Sequence, residues 1–148
     1  MYEKLGQFID GKWQQSSDKG TYDVINPATE EVIGQASKAT PQDVDKALKS
    51  AEKGLQVWKK TPPWQRSYII RKIADKIREK QDVLAKWMTL EVGKPLSEAK
   101  GEIAGAADIF EWNAEETKRI YGQTIESRFE DTRVHVYYQP VGVVAALS

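Results

Sequence analysis

The chain has no cysteine and a single histidine, His135, among its 148 residues. The first absence excludes disulfides, thiolate metal sites and a thiol nucleophile supplied by these residues; the second leaves too few ligands for a histidine cluster. Charge of one sign is also missing, since 22 Lys and Arg balance 22 Asp and Glu. No basic field is present to select nucleic acid or an anionic membrane. The longest apolar run, Val141 to Leu147, falls far short of the roughly 20 residues needed to cross a bilayer. Met1 to Asp10 carries Glu3 and Lys4 and lacks the basic start and apolar stretch of a signal peptide. A soluble, cytoplasmic protein is the expectation. There is no internal repeat and no low-complexity segment.

The first third has the marks of short strands. Phe8-Ile9-Asp10-Gly11-Lys12-Trp13 sets an Asp-Gly dipeptide between apolar residues, which predicts a hairpin over residues 7–14. Tyr22 to Ile25 and Glu31 to Ala36 read as extended pieces around the turn-forming Asn26-Pro27.

The middle is helical. Thr40-Pro41-Gln42-Asp43 offers an N-cap, a proline at the first helical position and an acid in the first turn. Val44, Ala47, Leu48, Ala51, Leu55 and Trp58 then recur at helical spacing. Pro62-Pro63 ends this helix and begins a second. In that second helix Ile69, Ile70, Ile73, Ala74 and Ile77 are expected to face the core, and Arg66, Arg71, Lys72 and Arg78 to face water. A third helix over Val83 to Glu91 stops at Gly93 and Pro95. A fourth, Leu96 to Lys118, carries Gly101, Ala104, Gly105, Ala106 and Ala107 as a slim flank suited to close packing. The five tryptophans, Trp13, Trp58, Trp64, Trp87 and Trp112, are expected to be core or interface anchors.

From Arg128 the period becomes two. Arg133, His135 and Tyr137 alternate with Val134, Val136 and Tyr138, the pattern of a strand with two different faces. His135 reads as structural. After Pro140, Val141 to Leu147 is continuously apolar, as for a parallel strand buried on both faces. A parallel strand needs a parallel neighbour reached through a crossover, so the pattern suggests the first strand of a larger α/β domain.

Val24-Ile25-Asn26-Pro27-Ala28-Thr29, Leu90-Glu91-Val92-Gly93-Lys94-Pro95 and Pro140-Val141-Gly142-Val143-Val144 follow one another in register, together with the Phe8–Trp13 segment and Tyr121-Gly122. In this order they resemble the N-terminal portion of the NAD(P)-dependent aldehyde dehydrogenase family, over nearly the whole chain. One departure is Glu30, where many members have glycine, which bears on the local turn geometry.

The resemblance implies an α/β fold, with N-terminal strands and helices of the cofactor-binding domain over residues 1–127. An extended oligomerisation arm would occupy 128–140, and the first strand of a Rossmann-like sheet 141–148. It implies oxidation of an aldehyde to a carboxylic acid with NAD or NADP: a cysteine thiolate attacks the aldehyde, an asparagine and a backbone N–H stabilise the oxyanion, and hydride passes to the nicotinamide. A glutamate then activates water. The family's Pro-Trp-Asn segment would follow Ser148, with the cysteine and glutamate further on, so no catalytic residue is expected within this chain.

By the same resemblance the backbone carbonyl of Ile25 and the carboxylate of Glu91 belong to a monovalent cation site, an oxygen set suited to a hard ion. Glu91 as a helix-end acid pairing with Lys94 is the alternative. Leu147 and Ser148 resemble positions that line the nicotinamide-side ribose, in keeping with ligand binding at strand carboxyl ends. Gly105 and Ile109 would lie along the substrate entrance. A homodimer or homotetramer through the 128–140 arm is implied. The competing class is a non-enzymatic assembly module. Which aldehyde is used, and whether NAD or NADP, depends on residues outside these motifs.

Overall fold

A computed structural model of the chain describes residues 5–147. The reading of Met1 to Lys4 as free of a leader, and the cofactor contact expected at Ser148, lie outside the described residues. Six short strands and four helices follow in the order β1 (Gln7–Ile9), β2 (Lys12–Gln14), β3 (Thr21–Ile25), β4 (Val32–Ser37), α1 (Pro41–Trp58), α2 (Pro63–Glu79), α3 (Gln81–Val92), α4 (Leu96–Glu116), β5 (Gln123–Glu126) and β6 (Arg133–Val136).

The strands form antiparallel hairpins, β1 with β2, β3 with β4 and β5 with β6. In the first, Asp10 (φ 54°) and Gly11 (φ 74°) are both left-handed, the backbone of a type I′ turn. The turn sets Phe8 opposite Trp13, with ring centroids 5.2 Å apart. Leu5 adds a parallel bridge to Ala36, its N–H donating to the Gln35 carbonyl at 3.2 Å.

Helix α1 starts where the sequence predicts. The Thr40 hydroxyl accepts from the Asp43 N–H at 3.3 Å, and the Asp43 carboxylate accepts from the Thr40 N–H at 3.0 Å, a reciprocal capping box. Asp43 also accepts from the Ser17 N–H at 3.1 Å, and only 3% of its surface is exposed. The cap therefore ties the β2–β3 connection to α1. These backbone donors, with the Thr40 hydroxyl, hold the Asp43 carboxyl well below the usual carboxylate range.

The core is built from small side chains. Ala74 of α2, Ala85 of α3, and Ala99, Ala107 and Ala114 of α4 are fully buried, and no large side chain is so among the described residues. Ser67 and Ala74 of α2 are seven residues apart, as are Ala107 and Ala114 of α4; this spacing keeps small residues on one seam where helices approach closely. Arg71 donates to Glu111 at 2.6 Å and also to Glu115. Arg78 donates to Asp108 at 2.8 Å and to Glu111 at 2.6 Å. The ascending arginines meet descending acids, so α2 and α4 run antiparallel.

Several expectations are corrected. Arg71 and Arg78 of α2 do not meet water alone: Arg78 is exposed and Arg71 half-buried, and both pair with acids of α4, while Ile69 and Ile73 of the expected core face are exposed. The apolar face of α1 is largely open, with Val44, Leu48 and Trp58 exposed. All five tryptophans are exposed, so none is a core anchor in this chain. Residues 141–147 are a different case: the expected strand depends on a parallel neighbour, none pairs with the run among the described residues, and Val141 is 93% and Leu147 97% exposed.

Candidate functional site

Three regions carry the residues singled out in the sequence. The first is the joint between the β3–β4 turn and the end of α3. Asn26 organises the turn: its side-chain oxygen accepts from the Ala28 N–H at 3.0 Å, and its carbonyl from the Glu30 N–H at 2.8 Å, an Asx-type arrangement. Glu30 closes the turn in the left-handed region (φ 60°), which explains why glycine suits this position and makes Glu30 a strained replacement. At the other side of the joint, α3 ends on Gly93 in the left-handed cap conformation, its N–H donating to the Thr89 carbonyl at 2.9 Å.

The two sides touch, since a Cβ built on Gly93 would lie 3.0 Å from Pro27 Cγ. Ile25 and Glu91, the expected cation ligands, each lie two residues before a member of this contact, at the end of β3 and in the last turn of α3. Their donors are a backbone carbonyl and a carboxylate, hard oxygens of the kind an alkali or alkaline-earth ion takes. Among the described residues no group of three or more His, Asp or Glu converges as a metal site. Lys94 pairs with Glu102 of α4, which raises the ammonium's pKa.

The second region is the outward flank of α4. Gly105 and Ile109 are one turn apart, Ile109 is exposed, and an added Cβ at Gly105 would meet nothing within 4 Å. Gly101 is equally open. Of the expected slim flank, Ala107 is fully buried in the helix packing, with Ala99 and Ala114 seven to eight residues away, whereas Gly101 stays exposed. Trp112, seven residues from Gly105, extends the open flank and is exposed.

The third region is the stretch after β6. Leu147 is fully open, and Gly142 and Val143 border a groove of about 800 Å³ against Lys49, Leu55 and Gln56 of α1. In the β5–β6 hairpin, the Thr124 hydroxyl lies 3.2 Å from His135 Nδ1, and Val134 and Tyr138 are exposed. Strand β5 itself was not apparent in the sequence.

No helix among the described residues is long and apolar enough to cross a membrane.

The family model of the aldehyde dehydrogenase family matches residues 13–148. The chain belongs to this family. It is 44% identical over 141 residues to a glutarate-semialdehyde dehydrogenase of Pseudomonas aeruginosa, an alignment covering 95% of this chain and 29% of that protein. Against the succinate-semialdehyde dehydrogenase [NADP(+)] of Escherichia coli it is 42% identical over 140 residues, with the same coverage of 95% and 29%. The crystal structure of a succinate-semialdehyde dehydrogenase from Burkholderia pseudomallei superposes with a TM-score of 0.90 at 36% identity, over 93% of this chain and 29% of that one. The chain thus spans under a third of the length of the relatives it matches.

Proposed function

We propose that the protein carrying this chain oxidises an aldehyde to the carboxylic acid with NAD or NADP, and that its aldehyde is a semialdehyde with a carboxylate at the other end. The observation that carries this reading is the similarity to semialdehyde dehydrogenases over 95% of the chain. Its physical basis in this chain is the cofactor-side framework: the Pro27–Gly93 joint, the open flank of α4 and the apolar residues 141–147.

In this reading Leu147 and Ser148 line the cofactor, and Gly105 and Ile109 border the path of the substrate. The Ile25 carbonyl and Glu91 carboxylate would hold a monovalent cation. Residues 128–140 form an arm that pairs subunits into a homodimer or homotetramer, which gives Val134 and Tyr138 a covering surface. The thiol that attacks the aldehyde comes from outside residues 1–148, which contain no cysteine. Such thiol chemistry suits the reducing cytoplasm.

The test uses the full-length protein with succinate semialdehyde, glutarate semialdehyde and an uncharged aliphatic aldehyde of the same length, each with NAD and with NADP. A kcat/KM at least about tenfold higher for a semialdehyde is expected, since a desolvated carboxylate partner is worth more than about 1.4 kcal/mol. Equal values for charged and uncharged aldehydes overturn the substrate assignment. No reduced cofactor with any aldehyde overturns the reaction.

A further inference from the structure

The outward face of α2 carries an apolar groove. Ile69, Ile73 and Ile77 recur every four residues, so they share one side of the helix. Lys80 alone separates α2 from α3, and Leu84 of α3 extends the line across this joint, with Tyr68 at its other end. Together they border a groove of about 530 Å³. Tyr68 is 59%, Ile73 41% and Ile69 39% exposed. Single exposed apolar side chains are ordinary on a protein surface, whereas a contiguous groove of them marks a contact site.

Charge does not distinguish this face. Lys72, Lys76 and Lys80 flank the groove, but Lys76 pairs with Glu79 at 2.5 Å, and the Lys72 ammonium lies 4.4 Å from the centroid of the Tyr68 ring. The lysine stems widen the apolar surface while their heads stay in water. An occupant of this groove is therefore held by apolar contact.

The amount of open surface bears on which occupant that is. The chain exposes 11745 Å². A compact monomer of 16.8 kDa exposes about 7,700 Å², which leaves an excess of about 4,000 Å². A subunit contact of standard size covers about 800 Å² on each partner, and an obligate one about 1,000–2,500 Å². A second copy thus accounts for only part of the excess. The subunit contact proposed above falls to the 128–140 arm, and no arm residue borders this groove. The relatives, by contrast, are more than three times as long as the matched chain. We propose that the α2 groove seats an apolar segment of its own subunit, drawn from the polypeptide that follows residue 148. This rests on the open surface and the length of the relatives, so failure of the aldehyde assignment would leave it standing.

The test places a photoreactive side chain in the groove of the full-length protein. Tyr68→benzoylphenylalanine and, as a second probe, Ile69→benzoylphenylalanine are refolded from equal amounts of unlabelled and isotope-labelled subunits, irradiated, and read by mass spectrometry. Adducts to peptides beyond residue 148 are expected, joining like isotopes only. Adducts that mix the isotopes would put a second copy in the groove, and adducts confined to residues 1–148, or none, would leave it uncovered; each overturns the proposal. Hydroxyl-radical oxidation of the wild type decides the matter if circular dichroism shows neither variant folded. Tyr68 should then react about tenfold or more slowly in the folded protein than in urea, and equal rates overturn the proposal.

Discussion

Gly93 ends α3 directly against Pro27 of the β3–β4 turn, so that a β-carbon on Gly93 would stand 3.0 Å from Pro27 Cγ on a residue whose φ is +76°. Both conditions exclude a side chain. Gly93→Ala is expected to destabilise the full-length protein by about 1–2 kcal/mol, from the left-handed backbone and from displacing Pro27. Gly101→Ala is the control, since that helical position is open, and should be neutral or stabilising by up to about 1 kcal/mol. Urea denaturation of the two variants checks the contrast.

Glu30 occupies the left-handed region at the close of the same turn (φ 60°). Glycine reaches this conformation without a Cβ penalty, at the cost of a freer unfolded chain. Glu30→Gly is therefore expected to stabilise by about 0.5–1 kcal/mol, read as a higher urea midpoint with unchanged slope. A lower midpoint would show that the Glu30 side chain contributes more than its backbone costs.

Asp43 gives the fold an acid-sensitive joint. Its folded-state pKa is depressed, chiefly by the Thr40 and Ser17 N–H donors. The contribution is therefore complete above the unfolded carboxylate value of about 4 and lost as pH falls below it. Asp43→Asn should lower stability at neutral pH, and the gap from wild type should narrow on acidification from about pH 5 downward. A gap that is constant across that range would contradict the assignment.

In the proposed function the flank of α4 borders the substrate path. An added side chain at Gly105 meets no neighbour within this chain, so Gly105→Met should fold and extend into whatever passes along the flank. In the full-length enzyme it is expected to raise KM several-fold for bulky aldehydes and less for small ones. An equal change for both would remove Gly105 from the entrance.

Local signals were legible in the sequence because each acts within a few residues. The Asp10-Gly11 turn, the Thr40–Asp43 cap and the Gly93 stop all stand where their chemistry places them. What was not legible depends on partners distant in sequence. An arginine row that pairs with α4 acids has the same sequence pattern as one that meets only water, so the ion pairs of Arg71 and Arg78 are not legible in it. Of the expected core face of α2, Ala74 is fully buried and Ile70 and Ile77 are half-buried, but Ile69 and Ile73 are exposed, because the seam is shifted toward Ser67. Val141 to Leu147 has strand composition without a strand to pair with. The candidate site divides in the same way: Gly105 and Ile109, expected from the family resemblance, sit one turn apart on one helix, whereas the meeting of the β3–β4 turn with the end of α3 rests on the Pro27–Gly93 contact, which no local pattern encodes.

The most direct measurement of the central claim is cofactor reduction by the full-length protein beside residues 1–148 expressed alone, both with succinate semialdehyde and NAD or NADP. In the proposed reaction the nucleophile is a thiolate, and the segment has no cysteine. Reduction by the full-length protein and none by the segment is the predicted result. Cofactor reduction by purified residues 1–148, or none by the full-length protein, would contradict the account.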